Sequence, residues 1–326
     1  MRVKIISDST CDLSPELLER YDIAITPLCI IKDGEEFQDG VNITPADIFA
    51  HVDGGGSLCS TAAVSQYEYG KVFARYAKEY DAVVQVTIGA NFSCCYQNAC
   101  LAAQEFDNVY VVDSENLSSG QGLLVVAAAK LAAQGLSGSE IAERVRALAP
   151  KVEASFLIER LDYMRKGGRC SAVAALGANL LHLKPCIEVC EGKMGVCKKY
   201  RGSFEKCIRQ YVKERLDGRE DITEDLAFIT HPACEQSVVD AAMEEAAAYG
   251  AFDELMTRNE LEEKLAVLAV KDAFKDVSMI PFADYVANVV VPTNAKRQIA
   301  IIYADGEIVD GSAKTAVAGD RFASVI

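Results

Sequence analysis

The chain has 326 residues, of which 50% are hydrophobic and 25% are charged, and its formal net charge at pH 7 is −15. This balance is typical of a globular protein and excludes disordered and fibrous classes. No apolar run approaches the roughly 18 residues that a membrane helix needs, and an acidic residue already stands at position 8. The sequence therefore predicts a cytoplasmic protein with no signal peptide and no stable membrane insertion. The negative charge argues against a nucleic-acid partner, because binding to phosphates needs a basic surface.

The chain contains twelve cysteines but only three histidines. In a long chain of this composition we expect most of the cysteines to be reduced core residues rather than a disulfide framework. Cys186, Cys190 and Cys197 do not form the two close pairs that structural zinc prefers, so we predict no metal and no other cofactor. All twelve lie between Cys11 and Cys234. This uneven distribution indicates a change in the chain after about residue 245.

Short apolar stretches alternate with helical patterns over the first 150 residues. Ser65 and Ser137 are each followed three positions later by a glutamate, which is the pattern of a helix capping box. The alternation predicts an α/β fold, with a parallel sheet that helices cover on both faces. The predicted strands are 3–6, 23–31, 81–88 and 109–112, and the predicted helices are 16–20, one after Pro45, 66–78, 96–106, 122–134 and 141–148.

The rest of the chain divides into two further predicted parts. Residues 151–250 indicate a mixed α/β lobe, whereas residues 251–326 form an atypical tail with an acidic helix over 260–274 and a hairpin over 298–309. The hairpin has a strong turn signal at Asp305-Gly306. For the lobe we predict strands at 155–158 and 226–230, a hairpin over 185–200 that turns at Glu191-Gly192, and helices at 161–166, 173–181, 203–215 and 234–249. The predicted domains are thus 1–150, 151–250 and 251–326.

Two hydroxyl residues, Thr61 and Ser93, lie in predicted loops that lead into helices. In an open parallel sheet, ligands bind at the carboxyl ends of the strands, where helix N-termini offer unpaired N–H groups. Ser93 stands at such a position, so an anionic head group, either a carboxylate or a phosphate, is the expected ligand. The alternative is that both residues only cap helices, because caps favour these residue types everywhere.

Several motifs occur in a fixed order that resembles the DegV family over about residues 1–245. They are Ser-Asp-Ser-Thr-Cys-Asp-Leu at 7–13, Ser-Thr-Ala at 60–62, the segment 88–99, Val-Asp-Ser at 112–114, Gly-Gln-Gly at 120–122, Leu-Asp-Tyr-Met-Arg-Lys-Gly-Gly-Arg at 161–169, Leu-Lys-Pro at 183–185 and Tyr-Arg-Gly at 200–202. The resemblance implies a two-lobed, non-catalytic protein that binds a long-chain fatty acid in an internal tunnel. It also implies that Thr61 and Ser93 hold the carboxylate. Arg201 would meet a partner fatty-acid kinase, to which the protein presents that carboxylate.

The sequence departs from the family pattern in two places. Ala62, Ala63 and Val64 replace more polar residues, and Phe92 and the cysteines after it are bulkier than usual. The family's closing His-Thr-Gly-Pro-Gly segment does not occur after residue 250. Residues 253–326 instead resemble a non-catalytic part of signal peptide peptidase SppA, through 280–285 and 299–311.

Two alternatives to a fatty-acid carrier remain open. One is a chimeric or truncated protein whose second lobe is incomplete and whose lipid binding is impaired. The other is a small hydrolase that uses Cys94 or Ser93, because the N-terminus of a helix can activate a thiol.

Overall fold

The computed structural model of the chain describes residues 1–159, 161–168, 170, 183–222, 227–231 and 234–249, together with the short strands at 308–309 and 317–318. Residues 1–245 and 324–326 form one compact unit, and residues 246–323 form another. The first unit contains two lobes with separate sheets.

A four-stranded parallel sheet lies at the centre of the first lobe. Its strands are β1 (Val3–Asp8), β2 (Ile23–Thr26), β6 (Ala82–Thr87) and β7 (Val109–Asp113), and their order is β2-β1-β6-β7. All three pairs of neighbours are parallel. Every residue of β6 is buried, as expected for an apolar, β-branched strand that is covered on both faces. The predicted parallel sheet is confirmed.

Helices pack on both faces of this sheet. Val84 of β6 belongs to an apolar cluster with Leu124 and Ile141, whereas the adjacent Val83 belongs to a second cluster with Phe73. Successive side chains of a strand point to opposite faces, so the two clusters lie on opposite sides of the sheet. The helices of this lobe are α1 (Pro15–Arg20), α2 (Pro45–Asp53), α3 (Gln66–Glu79), α4 (Cys95–Ala103), α5 (Ser118–Ala133) and α6 (Gly138–Leu148).

A small antiparallel sheet, which the sequence did not predict, accompanies the parallel one. It contains β3 (Cys29–Lys32), β4 (Glu35–Gln38) and β5 (Ser60–Ala62), in the order β4-β3-β5. The single strand predicted over 23–31 is therefore wrong, because β2 and β3 belong to different sheets. Pro27 lies between them and has no N–H to donate to a ladder, so the strand ends there.

The two predicted capping boxes have different outcomes. At α6, the Ser137 hydroxyl accepts the N–H of Glu140, and the Glu140 carboxylate accepts the N–H of Ser137, so the box is complete. At α3, the Ser65 hydroxyl accepts the N–H of Glu68 at 3.2 Å. The Glu68 carboxylate instead pairs with Lys71 at 2.6 Å, so only half of the second box forms.

The second lobe contains a three-stranded antiparallel sheet with the order β10-β9-β8. Its strands are β8 (Ala154–Leu157), β9 (Leu183–Cys190) and β10 (Lys193–Arg201), and its helices are α7 (Asp162–Gly167), α8 (Phe204–Leu216) and α9 (Gln236–Ala248). The predicted hairpin turn at Glu191-Gly192 is confirmed, and both residues have positive φ angles, as a tight two-residue turn requires. The strand predicted over 226–230 is wrong, since 227–230 has no strand. The helix predicted over 173–181 lies outside the described residues.

Two short strands are described in the second compact unit, where β11 (Ile308–Val309) pairs in parallel with β12 (Val317–Ala318). The predicted helix at 260–274 and the predicted turn at Asp305-Gly306 lie outside the described residues. Within the described part of the chain, no helix is long and apolar enough to cross a membrane. The same residues contain no cluster of three or more histidine, cysteine or acidic side chains that could hold a metal ion.

Candidate functional site

Thr61 and Ser93 lie on different kinds of backbone. Thr61 is exposed in the middle of β5, opposite Ile30 of β3, so it lies on a strand rather than in the predicted loop. It pairs in the antiparallel sheet and caps no helix. Ser93 is half-buried in the turn between β6 and α4, at the carboxyl edge of the parallel sheet. This is the position predicted for Ser93.

Hydrogen bonds from Val64 attach the chain after β5 to the beginning of α4. The Val64 carbonyl accepts a 2.7 Å hydrogen bond from the side-chain amide of Asn98, and the Val64 N–H contacts the Cys95 sulfur. Thr61 precedes Val64 by three residues, and Ser93 precedes Cys95 by two. The two segments that carry the predicted hydroxyls are therefore held together at one end of the first lobe.

Ser93 has a local structural role as well as a suitable position. Its oxygen accepts the N–H of Cys95 at 3.3 Å, and its hydroxyl donates to the Cys95 sulfur at 3.1 Å. Cys94, at the N-cap position of α4, makes no side-chain capping bond, so Ser93 takes over part of that function. A sulfur is a weak acceptor. The Ser93 hydroxyl can therefore turn to an anionic oxygen at little energetic loss.

Behind Ser93, a buried polar network begins at Asp8, the last residue of β1. One oxygen of its carboxylate accepts hydrogen bonds from the Tyr69 hydroxyl at 2.5 Å and from the Gln85 amide at 3.2 Å, and the other accepts the N–H of Ile88 at 2.8 Å. Burial raises the pKa of Asp8 to about 7, against the effect of these donors. The Tyr69 hydroxyl also contacts the Cys95 thiol. The network thus runs from Asp8 through Tyr69 and Cys95 to Ser93.

Sequence reasoning missed Asp8, Tyr69 and Asn98 as contributors to this site. Asp8 had a usable signal, because an acid at the carboxyl end of a buried apolar strand must find donors or become protonated. The other two had none, since their partners, Asp8 for Tyr69 and Val64 for Asn98, are 61 and 34 residues away along the chain.

Apolar side chains from both lobes meet close to Ser93. The apolar cluster around α3 and α4 includes Val64, Phe92 and Cys95, and Val189 and Met194 of the β9–β10 hairpin pack against it. We refer to these five residues as the inter-lobe cluster. At the hairpin turn, the Gly192 backbone also lies close to the Asn91 side chain and to Glu115. The β9–β10 hairpin of the second lobe thus lies against the segments that follow β6 and β7.

Arg201 is exposed at the end of β10, opposite Leu183. Two residues later, the Ser203 hydroxyl caps α8 by accepting the N–H of Lys206. Lys198, on the same strand, forms an ion pair with Glu214 at 2.6 Å, which partly neutralises the basic residues beside Arg201. Arg201 therefore lies on the second lobe, whereas Thr61 lies on the antiparallel sheet of the first lobe and Ser93 lies in a turn of the first lobe.

A groove of about 630 Å³ lies next to α3 and α4 and includes Ser65, Tyr67 and Phe106, but neither Thr61 nor Ser93 lines it. The contacts given for the histidines in the described part of the chain do not involve Cys94: His51 Nε2 lies 3.5 Å from an Asp33 oxygen, and His231 accepts the N–H of Cys234 at 3.4 Å.

The fold and the site place this chain among two-lobed α/β proteins. In these, a lobe with a parallel sheet meets a mixed α/β lobe near a hydroxyl side chain at the carboxyl edge of that sheet. A family model described as "Uncharacterised protein, DegV family" matches residues 2–259. The chain belongs to the DegV family.

Similar proteins occur in several bacteria. A DegV domain-containing protein of Clostridium acetobutylicum is 32% identical over 226 residues, which is 68% of this chain and 81% of that protein. Among solved structures, a fatty-acid-binding DegV family protein of Thermus thermophilus has 30% identity and a TM-score of 0.61, covering 68% of this chain and 80% of that one. A stearic acid-binding protein of Eubacterium ventriosum has 33% identity and a TM-score of 0.59, covering 66% and 77%.

Proposed function

We propose that this protein binds a long-chain fatty acid, with its carboxylate at Thr61 and Ser93 and its acyl chain along apolar residues between the lobes. The observation that carries this proposal is the position of Ser93 beside the inter-lobe cluster, at the carboxyl edge of the parallel sheet. A polar donor next to an apolar surface suits a ligand with one charged end and one hydrocarbon end. The fatty-acid-binding relatives from Thermus thermophilus and Eubacterium ventriosum support the same ligand class.

The two ends of such a ligand contribute differently to affinity. At about 0.8 kcal/mol per buried methylene, a tail of about fourteen methylenes gains on the order of 11 kcal/mol before association costs. Each charge-assisted hydrogen bond adds about 1.5 to 3 kcal/mol. The tail therefore supplies most of the affinity, whereas Thr61 and Ser93 fix the orientation, because a carboxylate that leaves water must find donors.

Native mass spectrometry of the full chain after bacterial expression tests this proposal. A carrier is expected to keep a co-purified fatty acid, visible as an added mass of one acyl chain. Thr61→Val and Ser93→Ala should each weaken fatty-acid affinity by about 10- to 150-fold, which corresponds to the loss of one charge-assisted bond. Ser60→Ala on the same strand is the matched control and should bind like the unmodified protein, because adjacent residues of a strand face opposite ways. Unchanged affinity in the double variant would refute the assignment of the two hydroxyls.

A partner kinase that phosphorylates the bound carboxylate is the second part of the proposal, with Arg201 as the docking residue. Arg201 is exposed, and an exposed guanidinium on an acidic chain suits an acidic patch on a partner. Arg201→Glu should abolish kinase-dependent phosphorylation of the fatty acid but leave fatty-acid affinity unchanged. Lys193→Glu, at the opposite end of β10, is the control for a general effect of charge.

The main alternative to this proposal concerns the tail. In that alternative, the chain is a chimeric or truncated protein with impaired lipid binding. We keep the SppA-like interpretation of residues 253–326 as part of that alternative, with no protease activity expected. A 326-residue chain that purifies without lipid and also fails to take up added stearate would favour this alternative, whereas a chain that purifies with bound lipid would favour the carrier. A cytoplasmic location goes with the carrier proposal and is testable by cell fractionation.

A further inference from the structure

Two cysteines of the β9–β10 hairpin lie side by side. In the ladder, Val196 is opposite Ile187 and Lys198 is opposite Cys186, so Cys197 occupies a bulge between these pairs. The Cys197 thiol is exposed and contacts the Cys186 carbonyl oxygen at 3.5 Å. It also hydrogen-bonds to the Cys186 thiol, which is buried against Tyr200 and Cys207. One thiol of the pair is open to solvent and the other is buried and in contact with it.

A single guanidinium nitrogen contacts both sulfurs. Arg215 Nη2 of α8 lies 3.3 Å from the Cys197 sulfur and 3.8 Å from the Cys186 sulfur. The same nitrogen lies 3.3 Å from a Glu188 oxygen, which fixes the arginine in this position. A cation beside a thiol stabilises the negative charge that sulfur carries when it acts as a nucleophile. The position of the Arg215 guanidinium distinguishes these two cysteines from cysteines that are only packed in a core.

We propose that Cys197 and Cys186 form a dithiol site that a hydroperoxide oxidises to an intramolecular disulfide. The exposure of Cys197 and the adjacent guanidinium make it the attacking thiol. Cys186 lies within hydrogen-bonding reach, which makes it the resolving thiol. This inference does not depend on the fatty-acid proposal.

The reaction has two steps. The Cys197 thiolate attacks the terminal oxygen of the hydroperoxide, the O–O bond breaks, and Cys197 becomes a sulfenic acid while the remainder leaves as an alcohol after taking up a proton. The Cys186 sulfur then attacks the Cys197 sulfur, an S–S bond forms, and the sulfenic oxygen leaves with the thiol proton as water. Two thiols and one hydroperoxide thus give one disulfide, one alcohol and one water.

The order in which the two thiols react follows from their surroundings. Burial raises the pKa of the Cys186 thiol and shields it from solvent, so the exposed Cys197 thiol meets the peroxide first. The bulge supplies the movement that the second step needs, because a disulfide requires a sulfur–sulfur distance of about 2.0 Å and a bulged residue is not fixed by ladder hydrogen bonds on both sides.

Differential alkylation and peptide mass spectrometry of the full chain, with hydrogen peroxide as the oxidant, test the proposal. Lys193 lies between the two cysteines, so trypsin separates them unless a disulfide joins the peptides. Cys170 and Cys190 share a tryptic peptide with Cys186, because trypsin does not cleave the Lys184-Pro185 bond. The experiment therefore uses the Cys170→Ala/Cys190→Ser double variant. We expect one linked pair of peptides, lighter by two hydrogens than the two reduced peptides together, that dithiothreitol separates.

Three further variants identify the roles of the side chains. Cys197→Ser should give no linked peptides, and Cys186→Ser should leave a sulfenic acid at Cys197 that dimedone traps. Arg215→Gln should slow the oxidation of Cys197 on the order of tenfold, the effect of one charge-assisted contact in the transition state.

Cys190 in the unmodified protein is the internal control, because it is also exposed but lies four residues, or about 13 Å, along the strand from Cys186. Equal oxidation rates of Cys190 and Cys197, or Cys197 oxidation without any link to Cys186, would overturn the proposal. Because the readout is covalent and needs no lipid, failure of the fatty-acid proposal would not affect it.

Discussion

The Tyr69 hydroxyl donates a 2.5 Å hydrogen bond to the Asp8 carboxylate, although the two residues are 61 positions apart and both are wholly buried. Tyr69 lies on α3 and Asp8 ends β1, so this bond joins a helix on one face of the parallel sheet to the sheet's carboxyl edge. Ser93 contacts the same network through Cys95. The titration of Asp8 is therefore a direct probe of the region where we place the ligand head group.

Asp8 should make the stability of the protein depend on pH. Because burial raises its pKa from 3.8 to about 7 in the folded state, the folded protein binds a proton more tightly than the unfolded chain. The contribution of Asp8 to the free energy of unfolding should consequently be largest below about pH 4 and fall as the pH rises towards 7. The full effect is roughly 4 kcal/mol.

Urea denaturation between pH 4 and pH 8 measures this dependence. Asp8→Asn cannot titrate and should flatten the slope, although its amide faces existing donors and should lower stability by about 1 to 3 kcal/mol at all pH values. The exposed Asp107→Asn is the control and should keep the slope of the unmodified protein. An unchanged slope in Asp8→Asn would show that other groups cause the pH dependence.

Tyr69→Phe removes one donor to Asp8 and keeps the ring stacked on Phe73. Because the hydroxyl lowers the pKa of Asp8, its loss should raise that pKa further. It should also destabilise the protein by about 1.5 to 3 kcal/mol at pH 8, where Asp8 is charged, and by less at pH 5. Tyr67→Phe, on the same helix but 72% exposed, is the matched control and should change stability by less than about 0.5 kcal/mol. An equal loss of stability at pH 5 and pH 8 would contradict a hydrogen bond from the Tyr69 hydroxyl to a charged Asp8 carboxylate.

The link between β5 and α4 should determine the rigidity of the candidate site. Asn98→Asp replaces the donor to the Val64 carbonyl with an acceptor, so two oxygens face each other across 2.7 Å. We expect a loss of about 1 to 3 kcal/mol of stability and faster hydrogen exchange of amides 61–65. Gln97→Glu is the same chemical change on an exposed neighbour and should leave the exchange at 61–65 unchanged. Equal exchange in both variants would mean that Asn98 does not hold the segment.

The parts of the fold that could be predicted from sequence are those that local patterns determine. Buried β-branched strands such as β6, and the capping box at Ser137, follow from side chains within a few residues. The antiparallel sheet was missed because β5 is only three residues long and mostly exposed, so it carries no alternating pattern. For the same reason Thr61 was assigned to a loop. Ser93 was placed correctly, because a turn between a buried strand and a helix is a local feature.

Substitution of Gly122 tests whether the Gly-Gln-Gly motif at 120–122 is needed for the close packing of α5 against the turn after β1. A Cβ at this position would lie 2.6 Å from the Cys11 carbonyl oxygen and 3.0 Å from Leu13, so α5 could not lie against the turn after β1. Gly122→Ala should therefore destabilise the protein by about 1 to 3 kcal/mol. Gly70 is the matched control, because it is also inside a helix but has open space around the Cβ position. Gly70→Ala should stabilise the protein by up to about 1 kcal/mol, since alanine loses less backbone entropy on folding. Thermal and urea denaturation measure both changes, and a stabilising Gly122→Ala would show that the backbone can shift to accept the methyl group.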